Sequence, residues 1–290
     1  MAAHAEKEKL PLPPLWELPR HEATIVAARW NADPIIHVPE GYNLESDASA
    51  FFKAADCPNS PYFPALDFYH MYSQGSRTIL PCFRTYQQTR DYSCASAVAL
   101  MVMYHFGYCD WRELEIADKM AAFHGLPTES RRPIPVKDLV HFFEALGWDV
   151  ESNLPFAAKA PQDATPYNPW RCAEAKSFPT LDGFARFCRQ TLRDGAPIMV
   201  ENIDWGAHWR VIIGYDDMGT GNPAHGVLIL ADPHDTADHC QDVVEHIDKF
   251  YSTWYDIFVM ERDECTQPWV VARPPRKEGG LWPCTVKKNR

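Results

Sequence analysis

Cys94 is the residue whose type and position most clearly suggest chemistry. It begins an apolar run that continues to Phe106 and is followed by Gly107, whereas polar, turn-forming residues precede it. This pattern predicts a buried helix that ends at a glycine. A thiol on the first turn of such a helix lies at the positive end of the helix dipole. The dipole favours the thiolate, so the position predicts an activated nucleophile.

A histidine far downstream could serve as the base for this nucleophile. The segment from Ala207 to Tyr215 predicts a strand that begins at His208, with Trp209 packed in the core. A cysteine at a helix start facing a histidine at a strand start is the arrangement that thiol-dependent acyl transfer requires. The sequence therefore predicts that Cys94 and His208 meet.

The partner of His208 can be predicted from a hairpin. Its strand and the next one, residues 226–231, are joined by a turn-rich segment centred on Thr220. Symmetric pairing about that centre places His208 opposite Asp232, and directly opposed residues have Cβ atoms about 5 Å apart. A carboxylate there would fix the tautomer and orientation of the imidazole.

Two other aspartates are candidates for this role. Asp204 is the second candidate, because it is close to the histidine in sequence and lies in the loop before its strand. Asp216 lies at the other end of the same strand, roughly 26 Å from His208 at the ordinary rise per residue. The residues alone favour Asp232 and leave Asp204 open.

A glutamine before the cysteine could bind an oxyanion. Gln88 stands six residues before Cys94, in the predicted turn that leads into the helix. Its side-chain amide and the Cys94 backbone N–H could together stabilise a tetrahedral intermediate. The neighbouring Gln87 has the same chemistry, and the residues alone do not distinguish the two.

A competing interpretation is a metal site after the second strand. The potential ligands are Asp232, His234, Asp235, His239, Cys240 and His246. None of their spacings matches a common zinc pattern such as Cys-x-x-Cys or His-Glu-x-x-His. The sequence therefore favours a polar surface loop, and neither a metal nor another cofactor is expected.

Composition limits the partners of the chain. The net charge is −11 over 290 residues, which argues against non-specific binding of nucleic acid. No apolar stretch is long enough to cross a bilayer, and the N-terminus lacks a signal-peptide core. We expect a cytoplasmic protein with no membrane or nucleic-acid partner and leave its oligomeric state open. Most of the nine cysteines should be free, and the sequence predicts small buried side chains at Cys82, Cys109, Cys172 and Cys188.

The elements that must position these residues follow a simple order. Helices are predicted at 94–106, 110–120, 135–146 and 181–192, and strands at 148–151, 197–202, 208–215, 226–231 and 255–260, with a loop at 153–177. Helices followed by an antiparallel sheet indicate an α+β fold. Residues 1–80 are interpreted as a proline- and aromatic-rich extension that packs on the main domain. The catalytic domain is predicted at 81–275, with a basic tail at 276–290.

Three segments resemble the C39-like branch of the papain-like cysteine peptidases. They are Gln88–Ala97, Gly206–Asp216 and Leu230–Pro233. The family pattern has glutamine six residues before cysteine, histidine opening a strand that ends in Gly-Tyr-Asp, and aspartate before proline on the next strand. The positions that fill it are Gln88, Cys94, His208 and Asp232. The resemblance covers about residues 82–260, selects Gln88 over Gln87, and implies a papain-like fold in which the cysteine helix packs on an antiparallel sheet that carries the histidine and aspartate.

The resemblance also implies a function. It suggests a hydrolase that cleaves a peptide or small amide through an acyl-enzyme and needs no cofactor. Similar folds carry out transpeptidation, as in phytochelatin synthases, so an amide-forming acyltransferase is an alternative. A catalytically silent relative that binds peptide in the same cleft is a third. The leader-peptide proteases of the family usually carry Asp-Cys-Gly, whereas Tyr92-Ser93 precedes the cysteine here, so the substrate stays open.

Overall fold

The computed structural model describes most of the segment that the sequence assigns to the catalytic domain. The described residues are 68, 71–90, 92–123, 133–160, 175–203, 207–234, 242–256, 260–261 and 263–275. Most of the predicted N-terminal extension and the whole basic tail, 276–290, lie outside these residues.

Six α-helices and seven β-strands lie within the described residues. They are β1 (Arg77–Ile79), α1 (Cys94–His105), α2 (Glu113–Phe123), α3 (Val136–Ala145), β2 (Asp149–Ser152), α4 (Leu154–Ala157), α5 (Leu181–Arg193), β3 (Ile198–Asn202), β4 (His208–Asp216), β5 (Val227–Ala231), β6 (Asp242–His246), α6 (Ile247–Ser252) and β7 (Trp269–Arg273). Most helices precede most strands, so the α+β prediction is confirmed.

Helix α1 is the buried helix that the sequence predicts. Every residue of it except Tyr104 is buried, because apolar side chains occupy all of its faces. It packs between α2 and the central strand β4. Gly107 follows the helix with a φ of 85°, a left-handed conformation that glycine adopts without strain. The helix therefore begins at Cys94 and presents the thiol at its N-terminal end.

The strands form one antiparallel sheet whose centre is β4. The order is β2-β7-β3-β4-β5-β6, and β1 also pairs with β4. The first half of β4 pairs with β3 and its second half with β1, while β5 lies along the opposite edge. Since all nine residues of β4 are buried, His208 starts on a fully buried strand of the sheet. The β1 pairing shows that the sheet begins before residue 81.

The register between β4 and β5 differs from the symmetric hairpin. Val211 pairs with Ala231, whereas Gly214 pairs with Ile229, and an irregularity lies between Ile212 and Gly214. The predicted register was therefore wrong by two residues at Val211 and by three at Gly214. A bulge adds a residue to one strand, and the 3-10 turn at Pro223–His225 moves the centre of the connection beyond Thr220.

Several smaller elements depart from the sequence-based expectations. Helix α4 lies in the predicted loop 153–177, and β6 lies in the segment interpreted as a polar surface loop. Both β7 and α6 were missed. The predicted strand 255–260 is not found in its described part, where Tyr255 forms only an isolated bridge with Thr266. Strand β6 is an edge strand that pairs with β5. Its own charged sequence does not predict a strand, because the strand depends on that pairing.

Candidate active site

The His208 side chain bridges two of the predicted site residues. Its Nε2 atom lies 2.7 Å from Oδ1 of Asp232. Because a carboxylate only accepts hydrogen bonds, Nε2 carries the proton and donates it. The other ring nitrogen, Nδ1, is then left for the Cys94 thiol, which also hydrogen-bonds to His208. The structure thus brings Cys94, His208 and Asp232 together, as predicted.

The contact with Asp232 forms in spite of the different register. Asp232 follows the end of β5, and the turn after it is closed by a hydrogen bond from the His234 N–H to Oδ1 of Asp232, 2.8 Å long. On the other side, Asn202 of β3 lies directly opposite His208. The aspartate therefore reaches the histidine from the turn after its strand and not as a cross-strand pair.

The surroundings of His208 favour its charged form. Burial alone would lower the pKa of this imidazole, but the charge and hydrogen bond of Asp232, with a further contribution from Cys94, raise the pKa from 6.5 to about 9. An imidazolium beside the thiol is the partner that a thiolate needs. The surroundings of His208 therefore favour an imidazolium beside the Cys94 thiol.

Asp232 is itself held in the ionised state. Burial would raise the pKa of its carboxyl, yet His208, the His234 N–H and the charge of Arg210 lower it below the ordinary value. Arg210 lies two residues beyond His208 and donates to Oε2 of Glu245 at 3.0 Å and to Oδ1 of Asn202 at 3.2 Å. These contacts keep a buried positive charge behind Asp232.

The conformation before His208 is strained. Ala207 has a φ of 86°, in the left-handed region that residues with a Cβ atom rarely occupy. Such strain persists only where the surrounding structure holds it, and it is concentrated at functional sites. The surrounding structure therefore holds the start of β4 in a fixed position at a cost in backbone strain.

The two glutamines have different environments. Gln87 is buried, and its Nε2 donates to the His234 carbonyl at 2.6 Å. The Gln88 Nε2 donates to the Arg90 carbonyl at 2.8 Å, within the loop that leads to Cys94. The backbone N–H of Gln88 donates to the Pro233 carbonyl at 2.7 Å. Gln87 is thus anchored to the Asp232 turn, whereas Gln88 keeps its amide in the loop before the helix.

A buried carboxylate that sequence reasoning missed holds this loop. Glu113, the first residue of α2, accepts the Thr89 N–H with both oxygens, at 3.0 and 3.2 Å. Its side chain is 2% exposed. Burial raises the pKa of Glu113, and contacts with Ser93 and Thr89 partly offset that effect. The sequence could not predict this role of Glu113, because its hydrogen-bond partner is a backbone N–H on a distant segment. From the sequence alone, Glu113 is only an acidic residue at a helix start.

A second unexpected acid lies behind the cysteine. Glu201 of β3 is buried and its carboxyl contacts the carboxyl of Asp256. Burial, the neighbouring Asp256 charge and, more weakly, Cys94 raise the pKa of Glu201 well above its usual range. These surroundings favour the neutral form of the Glu201 carboxyl.

The remaining candidates of the sequence are also located. Asp216 lies at the far end of β4 from His208, and Asp204 lies outside the described residues. The prediction for Trp209 is confirmed, because it is buried and its Nε1 donates to the Ile134 carbonyl at 2.9 Å. The described cysteines, Cys82, Cys94, Cys109, Cys188 and Cys265, are free; Cys188 is buried as predicted, Cys82 and Cys109 are half-buried, and Cys172 is outside the described residues.

Half of the possible metal ligands of the competing interpretation, Asp235, His239 and Cys240, lie outside the described residues. Within the described part, only Glu261, Asp263 and Glu264 place three potential ligand atoms within 4.8 Å of one another. The Lys137 Nζ lies among them, 2.9 Å from both Asp263 and Glu264. The lysine already supplies the positive charge that a cation would bring.

Comparison with known proteins identifies the family. Residues 81–258 match the Peptidase_C39 like family, which is more than half of the 290-residue chain. The chain belongs to this family. The predictions of a C39-like family and of its papain-like fold are therefore confirmed. No curated protein matches the chain.

A solved structure is also similar to this C39-like chain. It is the peptidase domain of Streptococcus ComA, a bi-functional ABC transporter involved in a quorum-sensing pathway. The two share 15% sequence identity and superpose with a TM-score of 0.37, over 67% of this chain and 99% of the ComA domain. Among the described residues of this chain, no helix has the length and hydropathy needed to span a membrane.

Proposed function

We propose that the chain is a cysteine-dependent hydrolase that cleaves an amide or peptide bond through an acyl-enzyme. The observation that carries this proposal is the His208 imidazole between the Cys94 thiol and the Asp232 carboxylate. Membership of the C39-like family supports the same chemistry. The proposed substrate is a peptide or a small amide.

The first half of the proposed reaction forms the acyl-enzyme. The Cys94 thiolate attacks the carbonyl carbon of the substrate, and the π electron pair of the carbonyl moves to its oxygen. The Cys94 backbone N–H and the Gln88 amide donate hydrogen bonds to that oxyanion. When the intermediate collapses, the C–N bond breaks and the His208 imidazolium gives its proton to the leaving amine.

The second half releases the product. His208, now neutral, takes a proton from water, and the hydroxide formed attacks the thioester carbonyl. Collapse breaks the C–S bond, so that the carboxylic acid leaves and the thiolate–imidazolium pair is restored. Asp232 does not change its charge in either half. It keeps the Nε2 proton in place and stabilises the imidazolium, as the carboxylate does in other triads.

We also propose that the protein works in a reducing compartment such as the cytoplasm. The thiol must be reduced in order to attack, and the five described cysteines are all free. Free thiols on this scale are typical of intracellular proteins, where glutathione and thioredoxin keep them reduced.

The proposal is tested by labelling and by product analysis. Wild-type protein and Cys94→Ala are treated with a brief pulse of iodoacetamide at pH 6, and labelled peptides are mapped by mass spectrometry. We expect label on Cys94 before the other cysteines. Peptide pools are then incubated with and without a second amine, and product masses distinguish hydrolysis from acyl transfer. A Cys94 that reacts no faster than an ordinary exposed cysteine would contradict the enzyme proposal and favour a peptide-binding relative.

A further inference from the structure

We infer that Glu113 is a positioning residue that fixes the segment carrying Gln88, and through it the oxyanion site. The inference rests on the proposed function, because it concerns the stabilisation of an oxyanion formed by attack of Cys94. Glu113 acts through residues 88–90, 92 and 93, together called the oxyanion loop below.

The carboxyl group of Glu113 is buried, unlike that of an ordinary acidic residue at the start of a helix. Acidic residues in the first turn of a helix are common at the surface, where they gain from the helix dipole. Glu113 is instead 2% exposed, so it loses most of its hydration. Both of its oxygens accept from one backbone donor, the Thr89 N–H, at 3.0 and 3.2 Å, and its carboxyl also contacts the Ser93 side chain. A buried carboxyl bonded in this way fixes the residue that directly follows Gln88.

The oxyanion loop is closed by its own hydrogen bonds. The Ser93 hydroxyl donates to the Arg90 carbonyl at 2.9 Å and accepts the Arg90 N–H at 3.1 Å. The same Arg90 carbonyl accepts the Gln88 side-chain amide at 2.8 Å. The amide of Gln88 therefore takes its orientation from a loop whose position depends on the Thr89 anchor.

The opposite side of the loop is tied to the turn that carries Asp232. The Gln88 N–H donates to the Pro233 carbonyl and the Gln87 amide donates to the His234 carbonyl. Residues 87–89 are thus held between the Asp232 turn and α2. Glu113 is the anchor on the α2 side, and it contacts neither the thiol nor the histidine in the described network. Its loss should move Gln88 and leave the Cys94–His208 pair intact.

Two reactions of the same thiol separate these effects. Iodoacetamide is attacked at carbon by the thiolate, which forms a C–S bond and expels iodide; no oxyanion arises. p-Nitrophenyl acetate is attacked at its carbonyl, which forms a tetrahedral oxyanion before p-nitrophenolate leaves and an acetyl thioester remains. The first rate reports the activated thiolate alone, whereas the second also requires the oxyanion site.

The experiment measures both rates in Glu113→Gln, Glu113→Ala and a matched control. Asp118→Asn removes a carboxylate from the exposed face of the same helix. Acylation of Cys94 is followed by p-nitrophenolate release and by the mass of the acetylated peptide. We expect Glu113→Gln to lower the ratio of acylation to alkylation roughly tenfold, less than the ~100- to 1,000-fold effect of removing an oxyanion donor outright. Glu113→Ala should lower the ratio further, and Asp118→Asn should leave it unchanged.

The possible results lead to different conclusions. If both rates fall in parallel in the Glu113 variants, the residue only supports the fold and the proposal is wrong. If both rates stay at the wild-type level, Glu113 does not position the loop and the proposal is also wrong. If the wild type shows neither fast alkylation nor acylation of Cys94, the proposed function itself fails, and the role of Glu113 fails with it.

Discussion

The substitution Asp232→Asn tests how the thiol is activated. It keeps the shape of the side chain and removes the charge that contributes most to keeping His208 protonated. Without that charge, burial acts against the imidazolium. We therefore expect the pKa of His208 to fall from about 9 to near its ordinary value of 6.5 or below. The protein should keep its fold, since asparagine can still accept from His208 Nε2.

The size of the effect follows from the pKa change. The balance between the neutral thiol–imidazole pair and the thiolate–imidazolium pair depends on the difference between their two pKa values. Lowering the pKa of His208 from about 9 to 6.5 shifts this balance toward the neutral pair by roughly 300-fold, because each unit is a factor of ten. Since the thiolate is the reactive form, alkylation of Cys94 at pH 6 should fall by about two orders of magnitude.

The assay follows alkylation of Cys94 by iodoacetamide from pH 5 to pH 10, with the imidazole of His208 titrated in parallel by NMR. His208→Gln assigns the resonance among the 12 histidines. Asp216→Asn, at the far end of β4, is the matched control and should behave as wild type. The reasoning is refuted if His208 in Asp232→Asn still titrates near pH 9, or if its Cys94 reacts at the wild-type rate at pH 6.

Three further predictions concern stability, each measured by urea unfolding against wild type. Because the pKa of Glu201 is raised in the folded state, the stabilisation that its proton provides is lost as the pH rises. The free energy of unfolding of wild type should therefore fall above pH 4.5, relative to that of Glu201→Gln, by up to about 1.4 kcal/mol per pH unit. Parallel pH curves for the two proteins would contradict this. Burial lowers the pKa of His105 from 6.5 to about 4. The contribution of the neutral imidazole to the free energy of unfolding should therefore be fully present above pH 6.5 and fall by up to about 3 kcal/mol toward pH 4. The acid curve of His105→Gln should be flatter, and an equally steep curve would exclude His105 as the cause. Gly214→Ala should cost about 1–3 kcal/mol, because its Cβ would lie 2.8 Å from Ile229 Cδ1; an unchanged urea midpoint would show that β4 and β5 can separate there.

The sequence predicted the elements whose pattern is local. Helix α1 and strand β4 are found at the predicted starts, because a long apolar run and a glycine stop are visible without knowledge of the partners. The contact of His208 with Asp232 was also predicted, although by a register that the structure does not have. The turn after Asp232 reaches back to the histidine, so the contact does not depend on cross-strand pairing.

What the sequence did not reveal depends on long-range partners. Strand β7 lies between β2 and β3, which come much earlier in the chain, and nothing near Trp269 indicates that position. The burial of Glu113 depends on a backbone N–H at Thr89, and that of Glu201 on Asp256. A charged residue is expected to be solvent-exposed on the basis of its type, and its burial cannot be predicted without knowing the partner that the fold brings to it.

The spacing of the three central residues along the chain has a consequence for biosynthesis. A ribosome makes Cys94 and its helix long before it makes His208, and Asp232 comes later still. A nascent chain with α1 alone carries a thiol without a base, and strands β3, β4 and β5 must pair before the imidazole reaches it. Sheets assembled from distant segments form slowly compared with helices. Under the proposed mechanism, Cys94 gains its base only when these strands have paired, so the emerging chain would not cleave amide bonds before the sheet has formed.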